Sequence, residues 1–289
     1  MSYVRLAALT SLAMIAFACN SLLCRVALKH TGIDAASFTT IRLISGAIML
    51  WLIVQISRGT QTGRGSWLSA FALFVYAAGF SFAYVSLPAS TGALLLFGAV
   101  QATMIGHGIW AGEHLRRLQL VGLVLALGGL VGLLSPGLSA PPLLGSSLML
   151  SAGVAWGVYS LRGKGAGDAT RVTAGNFLRA VPMAAALSLL MHASISLEYA
   201  GSLDYAGMLY AVASGAVASG TGYAIWYTVL PALKTTSAAT VQLSVPIIAA
   251  IGGMVFLDES ASVRLVLASV AILGGIALVI REKQNAIDA

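Results

Sequence analysis

Apolar runs about as long as a bilayer-crossing helix follow one another along nearly the whole chain, separated by short polar connections. A helix needs about 20 predominantly apolar residues to cross the hydrocarbon core. On that measure the pattern predicts ten spans: Leu6–Leu28, Ala36–Ser57, Trp67–Leu87, Thr91–Trp110, Leu118–Pro136, Leu143–Leu161, Val172–His192, Tyr205–Leu230, Thr236–Leu257 and Val263–Ile280. The runs are continuous rather than alternating, so helices are expected and not the strands of a barrel. No stretch is left for a soluble domain. The expected fold class is all-α integral membrane.

Composition supports the same solvent. The chain is 58% hydrophobic and 9% charged, with a mean hydropathy of +0.92, against about 25% charged residues in soluble domains. The net charge of +7 could suggest a nucleic-acid partner, but the basic residues have a side. With the N-terminal side taken as inside, Arg5, Arg58, Arg64, Arg116, Arg117, Arg162, Lys164, Arg171, Lys234, Arg281 and Lys283 fall there, and Arg25, Lys29 and Arg264 fall opposite. That bias predicts a multi-pass protein of the inner (cytoplasmic) membrane with both termini cytoplasmic. The expected partners are the lipid bilayer and a small molecule, with no nucleic acid. Cys19 and Cys24 lie five apart on one predicted helix, so neither a disulfide framework nor a metal site is expected. Arg5 and Ala-Phe-Ala-Cys at 16–19 resemble a lipoprotein signal, but the run stays apolar past Cys19 and cleavage is not expected.

The chain also repeats itself. An offset of 137 lays Arg25 on Arg162 and Arg42 on Arg179, and Cys19-Asn20 on Trp156-Gly157. An offset of 146 lays Gly106 on Gly252, Glu113 on Glu259 and Gly128-Gly129 on Gly274-Gly275. The change of offset falls where His192–Asp204 makes a longer connection than Arg58–Ser66. The expected organisation is one membrane domain of two five-helix repeats, 1–137 and 138–289. Five is odd, so the second repeat enters the membrane from the other side. Two inverted halves supply two near-equivalent conformations, as alternating access requires.

The blocks Ser90–Leu134 and Thr236–Ile280 resemble the two halves of the drug/metabolite transporter superfamily, EamA type. Each has a small-residue stretch before a glutamate, Glu113 or Glu259, then a terminal helix with a Gly-Gly pair. The resemblance implies ten helices in two inverted repeats around a central cavity, and export or exchange of small organic solutes. In the first helix, where members often show Trp-Gly, this chain has Cys19-Asn20. The second copy keeps Trp156-Gly157.

Candidate contact residues are mainly aromatic. Tyr76, Phe80 and Tyr84 recur every four residues on the third predicted helix. Tyr223 and Tyr227 do so on the eighth, continuing a small-residue row of Gly207, Ala211, Gly215 and Ser219, with Trp226 nearby. Trp156 and Tyr159 lie on the sixth. Spacing of four keeps side chains on one face. Such rings suit an aromatic or apolar solute, or an ammonium; the same pattern serves a protein core. Asn20, Gln101 and Gln242 are amides within apolar spans and must face a helix, water or a solute. Pro246 shares the face of Gln242 and is expected to bend the ninth helix and free a carbonyl.

Arg42 and Arg179 lie about two turns inside their helices, where snorkelling to the interface is the expected role and attraction of a carboxylate the alternative. His107 is placed within a helix and is a candidate proton relay, although a bond to a backbone carbonyl is the commoner role. The carboxylates map to loops and helix ends, so facilitated transport or exchange is expected rather than coupling through a buried acid. Glu113 and Glu259 are expected to end helices and pair with loop arginines. Gly122, Gly128, Gly129 and Gly132, with Gly274 and Gly275, are expected to close each repeat.

Within the superfamily, the uncharged aromatic lining resembles that of the aromatic amino-acid exporters, which implies transport of aromatic or other neutral amino acids. A multidrug or apolar-cation exporter is the alternative. An intramembrane enzyme needs a nucleophile with a base, or several metal ligands, and the pattern offers neither. No catalytic residue, metal or cofactor is expected.

Overall fold

The computed structural model describes residues 2–56, 63–112, 116–137, 140–163, 167–193, 204–233, 238 and 241–287, with side chains to 280. Glu113, Arg58, His114, Lys164, Glu198, Tyr199 and Lys234 lie outside the described residues, so the expected pairing of Glu113 does too.

Among the described residues there are helices and no strand: α1 (Tyr3–His30), α2 (Ala35–Ile56), α3 (Trp67–Tyr84), α4 (Ala89–Trp110), α5 (Arg117–Leu134), α6 (Leu143–Gly163), α7 (Ala169–Ala193), α8 (Tyr205–Val212), α9 (Gly222–Val229), α10 (Ser244–Leu257) and α11 (Val263–Ile287). Eight are long and apolar enough to cross a membrane, and α10 is a shorter apolar helix. Capping marks several starts. Ser66 accepts from the amide of Ser69 at α3, Asp34 from Ala36 and Ser37 at α2, and Asp204 from Gly207 at α8.

Two predicted spans are not continuous α-helices. The eighth runs as α8, a π-helical stretch (Ala213–Thr221), α9 and a short 3-10 turn (Leu230–Ala232). The π stretch is Ala-Ser-Gly-Ala-Val-Ala-Ser-Gly-Thr. Its small residues let the widened backbone lie against α1 and α2, and π segments of this kind concentrate at functional sites. The predicted ninth span breaks at Leu243, three residues before Pro246. Pro246 has no N–H for the carbonyl of Gln242, and its ring crowds that carbonyl. The backbone therefore restarts its helix at Ser244 instead of bending through.

α1 packs on α9, α10 and the π stretch; α2 on α7 and the π stretch; α3 on α6 and α7; α4 on α6 and α10. α5 and α11 form a pair that touches this bundle through α4. The glycines explain the pair. A side chain on Gly122 would strike the carbonyl of Gly275, and one on Gly275 the carbonyl of Gly122, so the two backbones meet. Gly129 packs against Ala271 and Ile272, whereas Gly128, Gly132 and Gly274 face open space. These glycines therefore join the last helix of the first half to the last helix of the second, where closure within each half was expected. Val121, Val124, Val131, Leu267 and Val270 are exposed on the outside of the pair, as a lipid-facing surface requires.

Candidate functional site

α3 carries its aromatic stripe into the bundle: Tyr76, Phe80 and Tyr84 are buried, Tyr76 and Phe80 beside Arg42 of α2 and Tyr84 against the start of α4. Tyr223 and Trp226 on α9 are likewise buried. The two stripes meet on Trp156 of α6. Its ring lies 4.8 Å from that of Tyr76 and stacks on Tyr223 at 5.2 Å and on Tyr159 at 5.2 Å. Phe17 of α1 adds edge contacts to Tyr223 and Trp226, at 5.6 and 6.1 Å. Offset and edge-on ring pairs of this kind contribute about 0.5–1.5 kcal/mol each beyond the area they bury.

These rings border a cavity of about 830 Å³, large enough for a small metabolite. Of the residues singled out from sequence, Asn20, Tyr76, Phe80, Gln101, Trp156, Tyr159, Tyr223, Trp226, Tyr227 and Gln242 line it. Tyr84 does not. It is fully buried beneath Phe80, its hydroxyl on the carbonyl of Ala89 and its ring against Gly92, and it belongs to the packing of one end. Residues that the sequence reading missed include Phe17, Ser21, Phe97, Met104, Thr173, Asn176 and Ser219. Phe17 sits three residues before Asn20, and Ser219 stands in the small-residue row, so both had a positional signal.

The polar wall groups are held by one another. Ser214 donates to the Asn20 carbonyl oxygen at 2.6 Å, and the Asn20 amide donates to the Tyr76 hydroxyl at 3.4 Å. The Asn176 amide donates to the Tyr159 hydroxyl at 3.3 Å. Gln101 Nε2 and Ser219 Oγ are buried with no hydrogen-bond partner among the described residues. Unpaired buried groups of this kind cost about 1–3 kcal/mol each unless a solute or water meets them.

Arg42 does not snorkel. It is 1% exposed, behind the wall, with its guanidinium 5.2 Å from the Tyr76 ring centre and 4.7 Å from that of Phe80. One nitrogen donates to the Tyr76 hydroxyl at 2.9 Å. Its backbone carbonyl lies against Gly215, so α2 and the π stretch approach closely here, and the side chain is held inward by the Tyr76 hydroxyl and the two ring faces. Arg179 instead donates to the carbonyls of Arg64 and Gly175, at 2.6 and 2.8 Å, and tacks the α2–α3 connection onto α7. His107 is exposed on α4, its ring 6.2 Å from Trp110, away from the cavity. Among the described residues no cluster of His, Cys, Asp or Glu can hold a metal.

The cavity opens at one end. Arg64, Gly65 and Ser66 from the α2–α3 connection, Arg162 and Gly163 at the end of α6, and Gly167 from the α6–α7 connection line its mouth. The other end lies a full α3 away, about 27 Å at 1.5 Å per residue, and is closed. There Arg25 of α1 pairs with Glu259 at 3.4 Å and donates to the carbonyls of Tyr84 and Val85 at 2.8 and 3.0 Å. Both oxygens of Glu259 accept from the amide of Ala89, at 3.0 and 2.8 Å. Pro88 offers α4 no side-chain cap, so a carboxylate from beyond α10 occupies the positive end of that helix. Asp258, in the left-handed region at φ 51°, turns the chain so that Glu259 points back; aspartate tolerates that region better than most residues. Glu259 follows the end of α10 as expected, but its partner Arg25 belongs to α1 and not to a loop, and its carboxylate caps the start of α4.

Two other carboxylates tie connections at this same end. Burial works to raise the carboxyl of Asp34, but hydrogen bonds from Ser37 and Ala36 and the nearby His192 outweigh it and hold it below the ordinary aspartate range. The amides of Gly207 and Gly32 do the same for Asp204.

Residues 143–281 match the EamA-like transporter family. Across 273 residues the chain is 56% identical to a Pseudomonas aeruginosa protein named Uncharacterized protein PA1977, covering 94% of this chain and 93% of that one. A solved crystal structure superposes with a TM-score of 0.67 and 18% identity over 99% of each chain; that likeness concerns the fold. The chain is thus a multi-pass membrane protein of one family with the Pseudomonas protein, its residues 143–281 match the EamA-like transporters, and the match supports a place in the drug/metabolite transporter superfamily.

Proposed function

We propose that this transporter is an exporter or facilitator of aromatic or other neutral amino acids, working by alternating access between two inverted five-helix halves. The observation that carries the reading is the cavity itself: it is walled by rings that converge on Trp156, open at one end and closed at the other by an interlocked ion pair. A planar or apolar side chain slides between such rings, and the wall amides of Asn20, Gln101 and Gln242 offer hydrogen bonds to its polar end. The basic connections favour a reading with the mouth at the cytoplasmic face, in which the form described loads from inside. In this reading the switch separates Arg25 from Glu259 and draws the mouth residues together.

An exporter of apolar cations would use the same rings through cation–π attraction. It is the weaker reading, because no aspartate or glutamate is among the described wall residues. Counterflow of labelled phenylalanine in proteoliposomes, with tryptophan, methionine, threonine and a drug cation as competitors, tests both. Saturable uptake competed by the amino acids is expected. Uptake competed by the cation alone moves the assignment to the second reading, and no uptake removes the amino-acid assignment.

A further inference from the structure

Arg42 is the one feature of the site for which a neutral solute supplies no use. A buried guanidinium is costly unless a counter-charge meets it. Here Nε and Nη1 have no hydrogen-bond partner among the described residues. The ionisable side chains beside it include Tyr76, Tyr223 and Cys24, and among the described residues no carboxylate lies within ion-pair distance of it. The charged residues of the described cavity wall, Arg64 and Arg162, carry the same sign.

The hydroxyl of Tyr76 receives two donors, Arg42 Nη2 at 2.9 Å and Asn20 Nδ2 at 3.4 Å. An oxygen that accepts twice has its own proton left to give, to the neighbouring Tyr223 hydroxyl or to a solute that displaces it, and a cationic donor strengthens that proton as a donor. Tyr76 and Asn20 line the cavity while Arg42 stands behind them. The arrangement is a relay: the arginine charge is presented to the cavity through a phenol.

We propose that the cavity is a site for organic monocarboxylates with an aromatic or apolar body, in which the carboxylate accepts from Tyr76 under the charge of Arg42 and an amino group is dispensable. The inference rests on the transporter reading above and deepens it. It makes the carboxylate, rather than the ammonium, the group by which a neutral amino acid is held. The ring of the ligand lies along Trp156 and Tyr223, which stack next to Tyr76. Arg42 is a positioning residue that acts through the phenol, so its removal is expected to change selectivity between acid and amide.

Calorimetric titration of the full chain in nanodiscs with phenylacetate, phenylacetamide, phenethylamine and phenylalanine is the test. Phenylacetate is expected to bind at least about tenfold more tightly than its amide, the ratio that a charge-assisted hydrogen bond supports, and no more weakly than phenylalanine. Phenethylamine is expected to bind least. Arg42→Met, which replaces the charge with an apolar chain of similar length, should bring acid and amide to equal affinity while the amide keeps its own. Tyr76→Phe removes the hydroxyl that meets the ligand and should weaken the acid more than the amide, bringing the two together with the arginine in place. It also keeps the relay testable where the Arg42 variant fails to fold. Equal affinity of acid and amide in the unaltered protein overturns the proposal, as does an equal loss of both in the variants. Tight binding of phenethylamine overturns it in favour of a cation site. If none of the four binds, this proposal and the aromatic-ligand reading both fall; phenylalanine counterflow with equal acid and amide affinity removes the present one alone.

Discussion

The two ends of the cavity are built from the same kinds of residue and bonded in different directions. At the closed end the bonds run across the bundle: Arg25 of α1 reaches the end of α3, and Glu259 from beyond α10 caps α4. At the mouth the described bonds run along one wall. Arg162 of α6 donates to Ser69 of α3 at 3.2 Å, Arg179 of α7 to the carbonyl of Arg64, and the Ser66 amide to Asn176 of α7 at 2.8 Å. Arg25 and Arg162 occupy corresponding positions at an offset of 137, yet one sits in the closed end of the cavity and the other edges the open one. Apolar packing holds the helices together at both ends. What separates open from closed is a small set of directed polar contacts, the kind of contact that can be exchanged without repacking a core.

The strongest way to break the comparison is Glu259→Gln. It leaves the largely buried Arg25 without its counter-charge and should weaken the closed end by about 3 kcal/mol, roughly a hundredfold in its opening equilibrium. Cys24 is fully buried beside Arg25, so its maleimide labelling, in a Cys19→Ser background, reports the opening. Unchanged labelling would mean that this end is shut by packing alone. Trp156→Ala acts midway. Loss of its contacts to three neighbouring rings should lower phenylalanine counterflow at least about tenfold, with folded yield nearly unchanged. A fall in yield with unchanged specific transport assigns the ring to packing.

At the mouth, Arg162→Ala should have little effect, about twofold or less in transport, since an exposed arginine with one neutral partner contributes under about 1 kcal/mol. A larger loss would make Arg162 a solute contact. The smallest effect is on pH. Asp34 and Asp204 have carboxyls held below the ordinary aspartate range. Their stabilisation is therefore complete above that range, near pH 4, and is lost as pH falls through the lowered values. Thermal unfolding followed below about pH 4 should show the midpoint dropping, and Asp34→Asn with Asp204→Asn should flatten that drop.

Most helices could be read from the chain because a bilayer demands long apolar runs and the connections are short. The aromatic lining of the cavity could be read nearly as well. Spacing by four put Tyr76 with Phe80 and Tyr223 with Tyr227 on common faces, and isolated amides such as Asn20 and Gln101 have few places to be in an apolar span. The arginines were harder. Arg42 and Arg179 have equivalent depths in their helices, but depth says nothing of which way a helix is rotated. α2 turns Arg42 toward Tyr76 and the π stretch, and α7 leaves Arg179 beside a loop carbonyl. Tyr84 continues the stripe of Tyr76 and misses the cavity because the stripe outruns it and enters the closed end.

The sequence by itself determined the solvent, the helical class and which faces carry rings, since each follows from local composition and periodicity. The tertiary structure decided the rest: that Arg25 finds Glu259, 234 residues away, that Gly122 meets Gly275, and that Arg42 stands behind a phenol with no carboxylate paired to it among the described residues. Those outcomes depend on how helices rotate and close on one another, and long-range geometry of that kind is set by packing rather than by any local pattern of residues.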